Sequence, residues 1–237
     1  MKRPNSWPPG HRLDDTIRVL CLAVEDRIKA QTARTLGEYD LRKELVGCIL
    51  GSQVRHEMAS AATENLDRVG LLDDSWWSGW PCDSFATFVF EVLSGQRRDL
   101  PHRGAYRFAK TRTDQLTRIR GAFLGFPLSA RVANCEDPQD LRRRLVADIP
   151  GLGPKQASMF LRNIGASYDL AILDTHVLRF MTLQGDLRVD AAHVRTLSSY
   201  ERTEQALVRY ADTVGVPVGY LDWAIWATMK AARELRL

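Results

Sequence analysis

Between Asp14 and Ile28 the apolar residues Ile17, Leu20, Cys21, Val24 and Ile28 recur three or four positions apart, the spacing that lines one face of an α-helix. Asp14 or Asp15 would supply the N-cap oxygen of that helix. A second helical stretch, Leu41 to Asn65, carries Leu45, Cys48, Ile49, Met58, Ala61 and Ala62, with a break expected at Gly51, where the run Gly51-Ser52-Gln53 interrupts it. Further helices are predicted over Ser84 to Leu93, Gly104 to Arg120, Asp137 to Ala147, Pro154 to Ile164, Thr175 to Thr182, Ser199 to Val214 and Tyr220 to Leu235. Period-two alternation is rare, and the alternation of strands with helices that a parallel sheet requires is missing, so the pattern predicts an all-α protein. Pro4, Pro8, Pro9 and Gly10 interrupt regular pairing and predict a flexible arm over residues 1–12.

A chain of 237 residues, 45% hydrophobic and 26% charged, is long enough to bury a sizeable core and has the composition of an ordinary globular protein. Its length fits one large domain or two small lobes with a cleft. The segment Asp73 to Cys82 reads as a loop whose Trp76, Trp77 and Trp80 either fold back over the core or stack on bases. A net charge of +4 permits nucleic-acid binding without demonstrating it. Arg97, Arg98, Arg103, Arg107, Lys110, Arg112, Arg118 and Arg120 crowd one stretch, and Arg142, Arg143 and Arg144 another; read singly, each is a solvated helix residue. Cys21, Cys48, Cys82 and Cys135 form no C-x-x-C pair and no zinc spacing, so reduced thiols and no metal or cofactor are expected. No apolar stretch is long enough to cross a bilayer and residues 1–12 lack the apolar core of a signal peptide, which makes the cytoplasm the expected compartment.

The chemistry concentrates between Ile149 and Asp174. Asp137-Pro138 starts a helix whose Leu141, Leu145, Val146 and Ile149 form a buried stripe; Pro150 and Gly151 stop it. Pro154 fits the first position of the next helix, which Gly165 ends. In this helix-hairpin-helix, Gly151 and Gly153 let the backbone approach a phosphate, and the free N–H groups of the new helix donate to it. Dinucleotide and Walker readings fail on spacing, since there is no third glycine and no serine or threonine after Lys155. Lys155 sits where the helix dipole disfavours the ammonium form and favours the nucleophilic amine; read alone it is also a phosphate-binding surface lysine. Asp174 follows the apolar run 170–173 and reads as an N-cap, or as a carboxylate that stabilises positive charge on a reacting sugar.

Pro150, Gly151, Gly153 and Lys155, with Asp174 nineteen residues beyond the lysine, resemble the P-G-x-G-x-K hairpin and aspartate of the helix-hairpin-helix DNA glycosylases, in particular the compact archaeal-type 8-oxoguanine branch. The similarity centres on Leu145 to Met181. It implies that Lys155 displaces the base and forms a Schiff base with deoxyribose, and that Asp174 assists. It implies two helical lobes flanking a DNA cleft: a terminal lobe of residues 13–45 with 166–237, and a central lobe of 46–165. Cys48 to Gln53 resembles the segment whose polar residue fills the space left by a flipped base, which makes Gln53 the candidate. Arg103 and Arg107 fall in a segment, His102 to Lys110, similar to the compact enzymes and are expected to contact DNA; Trp223 and Trp226 are candidates for the base pocket, or core residues three apart on a helix. The iron–sulfur cluster of some members is absent, because no cysteine follows Cys135. The implied partner is duplex DNA with a modified base, bound by a monomer. Residues Arg236 and Leu237 stand where the compact archaeal enzymes end in a lysine, and the tryptophan segment looks inserted, so the base is open: 8-oxoguanine leads, and another modified base such as phage glucosylated hydroxymethylcytosine, removed in anti-phage defence to leave an abasic site, is the alternative. A non-catalytic DNA-binding module is a further one.

Overall fold

The structure, a computed structural model, describes residues 11–31, 36–79, 81–101, 104–123, 127–133, 136–184, 194 and 196–234. Among the described residues there are helices, turns and irregular segments but no strand. The chain divides into two compact units, one of residues 1–34 with 168–237 and one of 35–167.

The continuous unit holds α2 (Glu38–Leu50), α3 (His56–Arg68), α4 (Asp74–Gly79), α5 (Cys82–Leu93), α6 (Ala109–Phe123), α7 (Leu128–Ala133), α8 (Pro138–Asp148) and α9 (Pro154–Asn163). Helix α2 lies at its centre, packed on α3, α6, α7 and α9, with α5 against α3 and α6 and α8 against α9. That placement follows from its apolar face, since Leu45, Val46, Cys48, Ile49 and Leu50 are all buried. The expected boundary at residues 45/46 would cut α2 in two; the division instead falls at 34/35, ahead of the whole helix. The break at Gly51 is present, separating α2 from α3.

The discontinuous unit holds α1 (His11–Gln31), α10 (Thr175–Leu183), α11 (Leu197–Val214) and α12 (Val218–Glu234). Helix α12 packs on α1, α10 and α11. Its Leu221, Ala224 and Ile225 share one core with Ile17 and Cys21 of α1, Val177 and Met181 of α10, and Leu207 and Ala211 of α11. Gly219, at the start of α12, donates its N–H to the Tyr168 carbonyl at 2.9 Å, and a Cβ there would fall 2.7 Å from the same oxygen. Only glycine permits that approach.

Four expectations change. Helix α1 begins at His11, directly after Gly10, so Asp14 and Asp15 lie inside the helix and residues 11 and 12 belong to no arm; residues 1–10 lie outside the described residues. The tryptophan segment is a short helix, α4, with Trp77 buried: its Nε1 donates to the Leu71 carbonyl at 2.9 Å, and its ring meets Phe85 edge-on at 6.1 Å under the Arg42 guanidinium at 5.0 Å. Trp80 lies outside the described residues. Helix α6 starts at Ala109 rather than Gly104, because Tyr106 is held by its N–H on the Leu93 carbonyl at 2.7 Å and its hydroxyl on the Leu50 carbonyl at 2.5 Å. Finally, Arg112, Arg120 and Arg142 are buried rather than solvated, with contacts inside the unit: Arg142 donates to Ser158 Oγ at 3.2 Å, and Arg120 stacks over Phe85 at 5.1 Å.

Candidate functional site

The helix-hairpin-helix forms as its sequence dictates. Asp137 caps α8 by accepting from the Gln139 N–H at 2.8 Å, with Pro138 following at the first helical position. The chain then turns through Ile149 and Leu152, whose amide donates to the Ile149 carbonyl at 3.1 Å. Gly151 takes φ +85°, a left-handed conformation, and a Cβ there would fall 2.4 Å from Gln115 Oε1. The positive φ strains any other residue at that position, and a Cβ would also have to displace the Gln115 amide. Gly153 is the N-cap of α9, with Pro154 opening the helix, so the first-turn amides are left for an outside acceptor.

Gly151 and Gly153 line a groove of about 660 Å³ together with Ser52, Gln53, Phe108 and Pro150. Gln53 is exposed and takes φ +63°, a conformation few residues other than glycine adopt. The sequence candidate Gln53 thus meets Gly151 and Gly153, 98 and 100 positions further on, in one groove. Arg107 is exposed, its guanidinium 4.9 Å from the ring of Phe108, which lines the same groove. Arg103 lies outside the described residues.

Lys155 is the second residue of α9 and half-buried. Burial pushes the Cys48 thiol well up, Glu44 adds to the rise, and the charges of Lys155 and Arg162 pull the other way. Glu44 accepts from Cys48 Sγ at 3.4 Å and from Asn163 Nδ2 at 2.7 Å. These Glu44 bonds tie α2 to the end of α9, and the sequence reading did not single them out.

In the discontinuous unit Asp174 caps α10, its Oδ1 accepting from the N–H groups of His176 at 2.9 Å and Val177 at 2.8 Å. Oδ2 takes part in neither bond. The irregular segment 170–173 leading to it is buried and held by three buried polar side chains. Glu204 accepts from Ala171 N–H at 2.8 Å, Asp222 from Ile172 N–H at 2.6 Å, and the Tyr200 hydroxyl accepts from Leu173 N–H at 3.0 Å while donating to the Ala171 carbonyl at 2.7 Å. Carboxylates in the core are otherwise costly, so these satisfy backbone that has no helix to satisfy it. The one sequence signal for them was polar residues interrupting the apolar faces of α11 and α12. Trp223, next to Asp222, is half-buried, whereas Trp226 is exposed, with the Lys230 ammonium 4.9 Å from its ring.

Comparison with known proteins bears on this arrangement. The Ogg-HhH family, 8-oxoguanine DNA glycosylase, matches residues 91–216, just over half of the chain, a span that includes Gly151, Gly153, Lys155 and Asp174. The 8-oxoguanine DNA glycosylase/AP lyase of Metallosphaera sedula is 34% identical over 209 residues, covering 84% of this chain and 91% of the relative. That of Thermoplasma acidophilum is 28% identical over 201 residues, covering 84% and 85%. Among solved structures, the 8-oxoguanine DNA glycosylase of Thermotoga maritima superposes with a TM-score of 0.67 at 26% identity, covering 90% of this chain and 94% of that one. The Methanocaldococcus jannaschii 8-oxoguanine glycosylase/lyase, solved with a 15mer DNA containing 8-oxoguanine, gives 0.70 at 23% identity, covering 93% and 98%, and shares the fold. The helix-hairpin-helix, the all-helical units and the extent of these matches place the chain in the 8-oxoguanine DNA glycosylase family.

Proposed function

We propose that this protein is a bifunctional DNA glycosylase that grips duplex DNA through the Gly151–Gly153 hairpin, extrudes 8-oxoguanine and removes it. The observation that carries this reading is the family match over 91–216, which contains the glycine hairpin, its lysine and the capping aspartate in one span. The glycosidic carbon is inaccessible inside the stack, so the nucleotide must leave it, and Gln53, exposed on its left-handed turn beside the hairpin, is suited to fill the vacancy. The Lys155 amine attacks C1′, the C1′–N9 bond breaks and the base departs with a proton; the C1′–O4′ bond of the resulting aminal then opens to the Schiff base with O4′ taking up a proton, and loss of a C2′ proton expels the 3′-phosphate and cleaves the strand. Asp174 uses Oδ1 to cap α10 and has Oδ2 to face positive charge on the sugar.

Borohydride tests the lysine. Wild-type protein with an 8-oxoguanine duplex is expected to yield a reduced covalent adduct, and Lys155→Gln none; equal adduct from the variant overturns the assignment. A panel of duplexes bearing 8-oxoguanine, alkylated purines, uracil and hydroxymethylcytosine, scored for free base and strand nicking, tests the substrate. Release from 8-oxoguanine DNA together with nicking is expected, and release of another base alone would reassign the specificity.

A further inference from the structure

The two turns assigned to DNA are joined by side chains that the hairpin motif does not single out. Arg112 of α6 is 6% exposed, so its guanidinium is inside the unit rather than in solvent. Its Nη1 donates to Gln115 Oε1 at 2.7 Å and its Nη2 to the Ser52 carbonyl at 3.2 Å. Ser52 immediately precedes Gln53, whose φ is +63°. The Gln115 amide in turn lies flat against Gly151: a Cβ on that glycine would fall 2.4, 2.5 and 2.7 Å from its Oε1, Cδ and Nε2. Among the described residues Arg112 Nε has no hydrogen-bond partner, and the guanidinium is held by its Nη bonds, by the Tyr106 hydroxyl and by the Phe108 ring 5.9 Å away. A guanidinium is a planar fork with donors at set angles, and lysine cannot span the same two acceptors.

We propose that Arg112 and Gln115 are positioning residues that hold the Gln53 turn and the Gly151 hairpin in register. A duplex gripped at a phosphate by the hairpin then presents its vacated base position to Gln53. Each turn has a residue in the left-handed region, a conformation that persists where surrounding structure imposes it, and the bracket is placed to impose both. The proposal rests on the glycosylase reading above, with Gln53 filling the gap. Extrusion depends on both turns acting at once, whereas a duplex that already lacks the base needs no replacement for a departing one. The bracket therefore acts on base removal more than on attack at an existing abasic site.

The test compares wild type, Arg112→Lys and Gln115→Ala in three measurements: thermal unfolding, single-turnover release of 8-oxoguanine, and borohydride trapping on a duplex with a preformed abasic site. Both variants are expected to keep trapping within about twofold and to lose about tenfold or more in release, the scale of a small misplacement at a reacting centre. In a Gln53→Ala background Arg112→Lys is expected to add no further loss, because the residue it positions is gone. Unchanged release, equal loss of release and trapping, or additive losses with Gln53→Ala each overturn the bracket. Should Arg112→Lys unfold, Gln115→Ala, which leaves the charge in place, decides by the same split. Wild type that neither traps nor releases overturns the glycosylase reading itself, and the bracket with it.

Discussion

Asp174 caps α10, and substitutions can part that duty from the catalytic one proposed for it. Asparagine is as good an N-cap as aspartate, so Asp174→Asn is expected to keep the stability of the wild type while release of the base collapses. Asp174→Ala is expected to lose the cap as well, about 1 kcal/mol in chemical denaturation. Full activity in the asparagine variant would leave Asp174 as a cap alone. Cys21 offers a pH dependence with a definite sign. Burial, reinforced by the charge of Asp222, raises its thiol from 9.0 to about 11. The folded protein then holds a proton that the unfolded chain has released, so this contribution is complete below pH 9.0 and fades as pH rises to about 11. The stability gap between wild type and Cys21→Ser, read from urea midpoints, is expected to narrow over that interval; a constant gap would show that the thiol titrates alike in both states.

At the scale of elements, periodicity made the longer helices legible, since each buries one stripe. Helices α4 and α7 were not, because six residues hold too few turns to repeat a pattern. The start of α7 is held from elsewhere: Glu38 of α2 accepts from Leu128 N–H at 2.8 Å and Ser129 N–H at 2.9 Å, ninety positions away. The site divides in the same way. The turn at Gly151, the place of Lys155 in the first turn of α9 and the cap at Asp174 were readable because hairpin geometry, helix position and capping are local. Arg112, Tyr200, Glu204 and Asp222 were not, because a polar side chain becomes informative only when its distant partner is known. The segment 170–173 shows what such partners do. Asp222→Ala would leave the Ile172 N–H buried without its acceptor, at an expected cost of about 1–3 kcal/mol, whereas Asp222→Asn keeps an acceptor oxygen and is expected to recover much of it. Denaturation midpoints for the pair, with excision rates alongside, decide whether Asp174 depends on this support; equal midpoints for both variants would exclude it.

The whole molecule is built from one continuous unit and one assembled from the two ends of the described chain. No helix among the described residues is long and apolar enough to cross a membrane. Ile17 belongs to the shared core of α1, α10, α11 and α12 and is fully buried, so Ile17→Ala is expected to cost about 2–5 kcal/mol, read as a lowered denaturation midpoint. A cost near zero would mean that α1 contributes little to that core. The pairing of α1 with α12 also orders assembly in time. During synthesis α1 emerges before residues 35–167, and the helix it packs on emerges after them. Until α10, α11 and α12 follow, the α1 residues Ile17 and Cys21 lack the partners of their shared core, an exposure of apolar surface that favours chaperone binding and aggregation.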